Sequence, residues 1–193
     1  MASGKAPGPL AYSGQVSKTI FYGAVSLDGY LAGPNSDMSW AEKYLGFDED
    51  YGYVELVGSC SAMLMGRKTF EFELGAGPSI DRILPTYVVT EQPLRFDGAA
   101  SKDVHFVGGD LREIVSLVRS KHPGNIFVGG GAELVDGLLT MGILDELRLF
   151  IVPTLLTAGT KLFKGSAFRG SLELNSTKPY KSGLVELRYQ ISY

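Results

Sequence analysis

From Lys18 onward, runs of strand-forming residues alternate with stretches of helical periodicity, and this alternation restricts the fold more than any other feature. Thr19–Ser26 is rich in β-formers and predicts a strand ending at Asp28-Gly29. Residues 27–38 collect Gly, Pro, Asn and Asp and predict a loop. Residues 39–58, with Trp40, Tyr44, Tyr53 and Val57, predict one or two helices. Ala62–Met65, Thr86–Thr90, Val104–Val107, Asn125–Val128 and Leu147–Val152 predict further strands. Between them, Leu111, Ile114, Val115 and Val118 recur on one helical face behind Asp110, an N-cap with Glu113 three residues on. His122-Pro123-Gly124 ends that helix. A second helix places Leu134, Val135, Leu138 and Leu139 on one side. Residues 153–165 predict a long loop, and residues 171–178 and 184–192 a closing antiparallel hairpin. The expected fold class is α/β: a mostly parallel central sheet flanked by helices, with an antiparallel C-terminal hairpin.

The chain has 193 residues, enough for one domain with its own core. Residues 1–17 are dominated by Gly, Ala, Ser and Pro and predict a flexible tail, leaving residues 18–193 as the domain. The net charge of −3 argues against nucleic-acid binding by general electrostatics. No run approaches the roughly 18 apolar residues of a membrane helix. The single cysteine, Cys60, excludes an intrachain disulfide and a Cys-rich zinc site, and fits the cytosol. It lies in an apolar stretch and reads as a small buried residue. His105 and His122 lack neighbours of metal-ligand type and read as structural, so no metal is expected.

In open α/β sheets, ligands bind beyond the carboxyl ends of the strands. Three such junctions carry chemistry. Gly66 permits a tight turn into a helix start, where free amides and the dipole favour an anion; Arg67, Lys68 and Thr69 add two cations and a hydroxyl. The alternative there is a solvated basic pair. Gly129-Gly130-Gly131 strips side chains from a strand–helix junction, so backbone can approach a pyrophosphate. Ser26-Leu27-Asp28-Gly29 is either a site element or a turn. Trp40 suits the core as well as a ligand platform.

Taken together and in order, these segments resemble the dihydrofolate reductase fold family. Met65-Gly66-Arg67-Lys68-Thr69-Phe70 is similar to that family's cofactor-phosphate motif, and Phe127-Val128-Gly129-Gly130-Gly131 to its glycine turn, where a cis peptide between the first two glycines is usual. Ser26-Leu27-Asp28-Gly29-Tyr30-Leu31-Ala32, Val152-Pro153-Thr154-Leu155-Leu156 and Gly159-Thr160-Lys161-Leu162-Phe163 resemble more closely the reductase domain of the bifunctional riboflavin-biosynthesis deaminase-reductases. The zinc deaminase signature is absent, so the resemblance implies a stand-alone reductase domain.

The resemblance implies NADPH as cofactor and a homodimer. Gly66, Arg67, Lys68 and Thr69 would hold its 2′-phosphate and pyrophosphate end, and Val89 and Thr90 would flank its adenosine. Gly129, Gly130, Gly131, Ala132, Glu133 and Leu134 would cradle the pyrophosphate and nicotinamide side, with Ala24 and Val25 along the nicotinamide. Ser26 and Asp28 would be catalytic, Asp28 orienting substrate or relaying a proton through a raised pKa, and Trp40 and Leu155 would join them against substrate. The implied reaction is hydride transfer to a small heterocyclic or sugar-derived acceptor such as a ribosylaminopyrimidine. Leu45 stands where folate reductases carry a carboxylate, and Val128 where riboflavin reductases often carry Glu. A pterin reductase and a non-catalytic nucleotide-binding dimer are the other readings.

Overall fold

The computed structural model describes residues 17–45, 49–75, 83–93, 95, 102–165 and 167–193. Residues 1–16 of the expected tail lie outside the described residues.

Among the described residues the strands are β1 (Thr19–Ser26), β2 (Tyr30–Ala32), β3 (Cys60–Gly66), β4 (Thr86–Val89), β5 (Val104–Val107), β6 (Asn125–Val128), β7 (Glu146–Val152), β8 (Thr160–Lys161), β9 (Ser171–Pro179) and β10 (Val185–Ser192). The helices are α1 (Ser39–Leu45), α2 (Tyr53–Ser59), α3 (Arg67–Gly75), α4 (Leu111–Lys121) and α5 (Ala132–Thr140). Eight strands form one sheet in the order β5-β4-β3-β6-β1-β7-β10-β9. The first six run parallel, and β10 turns antiparallel to both β7 and β9. This is the expected architecture: a mostly parallel sheet closed by an antiparallel C-terminal hairpin.

The pleat sorts residues to two layers. Phe21 and Val25 of β1 pack with Leu64, Ile126, Val128, and with Val115, Val118, Val135 and Leu138 of α4 and α5. Ile20 packs the other way, against Leu56 of α2, Cys60 and Phe127, while Tyr22 and Ala24 meet a group around Trp40, Tyr44 and Phe150. Successive strand residues take opposite faces, which is what lets one strand serve two cores. Asp110 caps α4 as its sequence predicts: its carboxylate accepts from the amides of Arg112 and Glu113. Such a cap contributes about 0.5–2 kcal/mol.

Cys60 is buried and burial pushes its thiol pKa up to about 11, so it is an inert core residue. The two histidines stand beside Tyr87: its hydroxyl meets His122 Nε2 at 3.0 Å, and His105 lies 4.9 Å from its ring. Among the described residues no group of three or more His, Cys, Asp and Glu side chains is placed to hold a metal ion. Nor is any described helix long and apolar enough to cross a membrane.

Two expected loops are not wholly loops. Residues 27–38 contain β2 and a single 3-10 turn, Pro34–Ser36, and residues 153–165 contain β8. β2 and β8 pair antiparallel as a separate ribbon, Tyr30 opposite Lys161 and Ala32 opposite Thr160. Neither piece is long enough to show a period; only their meeting across about 130 residues gives each its hydrogen-bond partner. The cis peptide of the glycine turn joins Gly130 and Gly131, one bond later than the resemblance implies. Gly129 follows β6 directly and is still tied to β3, its amide donating to the Leu64 carbonyl at 2.9 Å.

Candidate functional site

In the strand order β3-β6-β1, β6 enters the sheet late and separates two strands formed earlier in the chain. The carboxyl ends of these three strands therefore open side by side, the place where doubly wound sheets bind ligands. A cleft of about 870 Å³ lies there. That size falls within the ~300–1,000 Å³ of small-molecule and cofactor sites.

Backbone builds the floor of the cleft. The Gly66 amide donates to the Gly130 carbonyl at 2.7 Å, locking the end of β3 to the glycine turn. A Cβ on Gly66 would sit 3.2 Å from the Gly131 nitrogen, and one on Gly131 would sit 3.2 Å from Thr69 Oγ1. The two junctions approach this closely because both are glycine. Gly130 also has φ +112°, a conformation that side chains disfavour. Immediately beyond them start α3 and α5, and Gly131 supplies no side-chain cap to α5. The first-turn amides of two helices thus face one cleft, a ready anion site.

Charge surrounds this floor. Arg67, Lys68, Arg95 and Lys164 line the cleft, with Glu73, Glu91 and Glu133 as counter-charges. Arg67 Nη1 pairs with Glu71 Oε2 at 2.7 Å. Lys68 Nζ meets Glu133 Oε1 at 3.1 Å, and Lys164 Nζ meets the same oxygen at 3.5 Å. The two ammonium groups hold the Glu133 carboxyl below its ordinary pKa.

Of the expected site residues, the cleft gathers Ala24, Gly66, Arg67, Lys68, Thr69, Val89, Thr90, Gly129, Gly130, Gly131, Ala132, Glu133 and Leu134. Five others stand elsewhere. Val25 is buried in the core beneath α5, packed among Leu134, Val135 and their neighbours. Trp40 is 9% exposed and packs with Tyr44, Phe150 and Tyr180 as a core residue. Leu155 is exposed on the loop after β7 and does not line the cleft.

Ser26 and Asp28 also lie outside the cleft and are joined to each other. Ser26 is 1% exposed; its hydroxyl donates to Asp28 Oδ1 at 2.6 Å and accepts from the Tyr30 amide at 2.9 Å. Asp28 further accepts from the amides of Leu156 at 3.1 Å and Thr157 at 2.8 Å. Asp28 therefore pins the turn before β2 to the segment before β8. The expected raised pKa is reversed. The Ser26 hydroxyl and the two amides stabilise the carboxylate and pull its pKa from 3.8 to about 2. A carboxylate so engaged is no proton relay near neutral pH.

The sign of this shift sets a pH dependence. A folded pKa below the unfolded one means that the Asp28 contribution is complete above pH 3.8 and is lost as pH falls toward about 2. Asp28→Asn is expected to remove that part of the acid limb. Melting temperature against pH for both proteins checks this; an identical acid limb would contradict the clasp.

Sequence reasoning missed Arg95, Gly109 and Lys164, and also Leu31, Ala32 and Met38 on the opposite wall. Gly109 follows β5 and was readable by the strand-end rule that marked Gly66. Arg95 and Lys164 stand in loops without a local pattern, and only the fold brings them in.

The family model of the RibD C-terminal domain matches residues 81–185, more than half of the chain. YwjB of Bacillus subtilis (strain 168) is 30% identical over 173 residues, covering 89% of this chain and 97% of its own length. A protein of Shewanella sp. PV-4 assigned by name to riboflavin biosynthesis superposes with TM-score 0.81 at 22% identity, covering 91% of this chain and 99% of that one. The diaminohydroxyphosphoribosylaminopyrimidine deaminase/5-amino-6-(5-phosphoribosylamino)uracil reductase of Thermotoga maritima gives 0.71 at 12% identity, over 91% of this chain and 57% of that longer one. Dihydrofolate reductase of Enterococcus faecalis, complexed with NADP(H), gives 0.59 at 19% identity, over 90% and 94%. The glycine-floored cleft between α3 and α5 thus sits in a chain that belongs to the RibD C-terminal domain family.

Proposed function

We propose that the protein is an NADPH-dependent reductase that passes hydride to a small heterocyclic or sugar-derived acceptor of the 5-amino-6-(5-phosphoribosylamino)uracil kind. The observation that carries this reading is the convergence of the α3 and α5 N-termini on one cleft through glycine-only junctions. Family membership and the NADP(H) complex of a similarly folded reductase support it. Hydride is the chemistry the cofactor supplies when bound; the chain supplies position and electrostatics.

The donors fit a dinucleotide. Amides at the starts of α3 and α5, with Thr69, would bind its phosphates, and Arg67 and Lys68 would meet its 2′-phosphate and pyrophosphate. Val89 and Thr90 would flank the adenosine. Gly129–Leu134 would cradle the pyrophosphate and the nicotinamide side, with Ala24 along the nicotinamide. The opposite wall, from Ala24 through Leu31, Ala32, Ser36 and Met38, carries no carboxylate among its described residues. A pterin ring would find no acidic partner there, which favours a neutral, hydroxyl-bearing acceptor over a pterin. Asp28 and Ser26 serve this wall indirectly by holding β2 in place.

The test is acceptor-dependent loss of NADPH absorbance, with ribosylaminopyrimidines and dihydrofolate offered separately. Turnover of the former alone is expected; binding without turnover of any acceptor would favour a non-catalytic nucleotide-binding protein. Arg67→Ala is expected to weaken NADPH by about 1–3 kcal/mol, the scale of a charge-assisted hydrogen bond, and NADH hardly at all. Calorimetry with both cofactors checks it, and equal losses would remove the 2′-phosphate assignment.

The reading includes a cytosolic homodimer. β9 supports the dimer: it forms one edge of the sheet, and all nine of its residues are exposed. An uncovered edge of that length presents backbone donors and acceptors to another chain. Sedimentation of the purified protein distinguishes dimer from monomer.

A further inference from the structure

The anion-binding corner of the cleft is already filled by an anion of the chain's own. Glu133 is the second residue of α5, and its Oε1 lies 3.1 Å from Lys68 Nζ and 3.5 Å from Lys164 Nζ. These groups come from three separate segments: the start of α3, the start of α5 and the loop after β8. All three line the cleft. The Glu133 side chain is 68% exposed, so packing does not dictate its position. What holds it there is attraction to two ammonium groups and to the positive end of α5.

We propose that Glu133 is an internal counter-ion, occupying the position a ligand pyrophosphate takes, so that dinucleotide binding is an exchange of one anion for another. This rests on the dinucleotide reading above. The incoming pyrophosphate bears more charge than a carboxylate and also accepts from the helix amides, so it wins the lysines. Glu133 must then turn aside into solvent, which its exposure permits, and it remains as a negative neighbour. Its effect is to weaken binding and to assist release, a step that limits turnover in many enzymes. Because the pyrophosphate is common to both nicotinamide cofactors, Glu133 acts on NADPH and NADH alike. That separates it from Arg67, whose assignment is the 2′-phosphate.

The experiment compares wild type with Glu133→Gln, which keeps the shape and removes the charge. Calorimetric titration with NADPH and with NADH at low salt is expected to show binding tightened by a common factor of about three to ten, the scale of two exposed ion pairs. The gain should shrink at high salt, where such charges are screened. Melting temperature serves as the folding control. Unchanged or weakened binding by Glu133→Gln overturns the proposal, as does a gain confined to NADPH. If neither protein binds either dinucleotide, the cofactor reading fails separately. Inorganic pyrophosphate then decides the counter-ion role: tighter binding to Glu133→Gln supports it, and equal or absent binding overturns it.

Discussion

Gly159→Ala is expected to lower stability by about 2–4 kcal/mol, adding strain at a disfavoured φ to overpacking against fixed backbone. Gly159 has φ +125°, and a Cβ there would lie 2.1 Å from the Ala32 carbonyl oxygen and 2.8 Å from Gly33 Cα. Those atoms are backbone and cannot swing aside as a side-chain tip does. At about 2–4 °C per kcal/mol for a chain of this size, the melting temperature should fall by roughly 4–16 °C. The substitution acts where β8 meets β2, so Leu31 and Ala32 should also lose their place on the cleft wall. Calorimetric melting and cofactor titration of one variant read both effects. Gly29→Ala is the control: φ is +85° but nothing lies within 4 Å, so only the conformational cost applies. Equal losses from both variants would show that the close approach of β2 and β8 is without consequence.

Arg148→Ala is expected to cost about 3–5 kcal/mol, the penalty for leaving one member of a buried ion pair uncompensated. Arg148 Nε lies 2.7 Å from Glu146 Oε1, and both side chains are 9% exposed. Among the described residues, Glu146 would be left with the ion pair to Lys18 Nζ at 3.5 Å, on a side chain that is 42% exposed. Arg148 also reaches Glu55 Oε1 at 3.4 Å, but Glu55 is mostly exposed and keeps Arg188 at 3.0 Å. The loss should therefore follow Glu146. In the Glu146→Gln background, Arg148→Ala should cost clearly less, and denaturant unfolding of the four proteins measures that coupling. Additive losses would show that the pair is not coupled.

The order of strands and helices was legible in the sequence because it rests on local rules. Asp110 followed by the Leu111–Val118 face could form only an amphipathic helix, and Asn125–Val128 running into three glycines could form only a strand and a tight turn. The glycine-floored half of the cleft, which we propose binds phosphate, was legible for the same reason. Its donors are amides at two helix starts, and glycines mark both junctions in the sequence. The family motifs at Gly66–Thr69 and Gly129–Gly131 strengthened what the local chemistry already implied.

The side proposed to take the acceptor obeyed no local rule. Asp28 looked like an acid in a cleft, yet its oxygens are taken by Ser26 and by amides of residues 156 and 157, about 130 positions away. Ser26, two residues away, is the largest cause of its lowered pKa, but no pattern near Asp28 announces the two distant amides that add to it. Val25 is drawn into the core beneath α5 and does not line the cleft. Trp40 and Leu155 failed by packing, one drawn into an aromatic core and the other left outside. Lys164 and Glu133 meet only because β8 is carried back beside the start of α5. The sequence by itself determined the elements, their order and the glycine junctions that floor the cleft, since each depends on residues within a few positions of one another. Tertiary structure decided the β2–β8 ribbon, the role of Asp28 and the charges on the cleft rim, because each depends on groups far apart in the chain that only the completed sheet holds within hydrogen-bond or ion-pair distance.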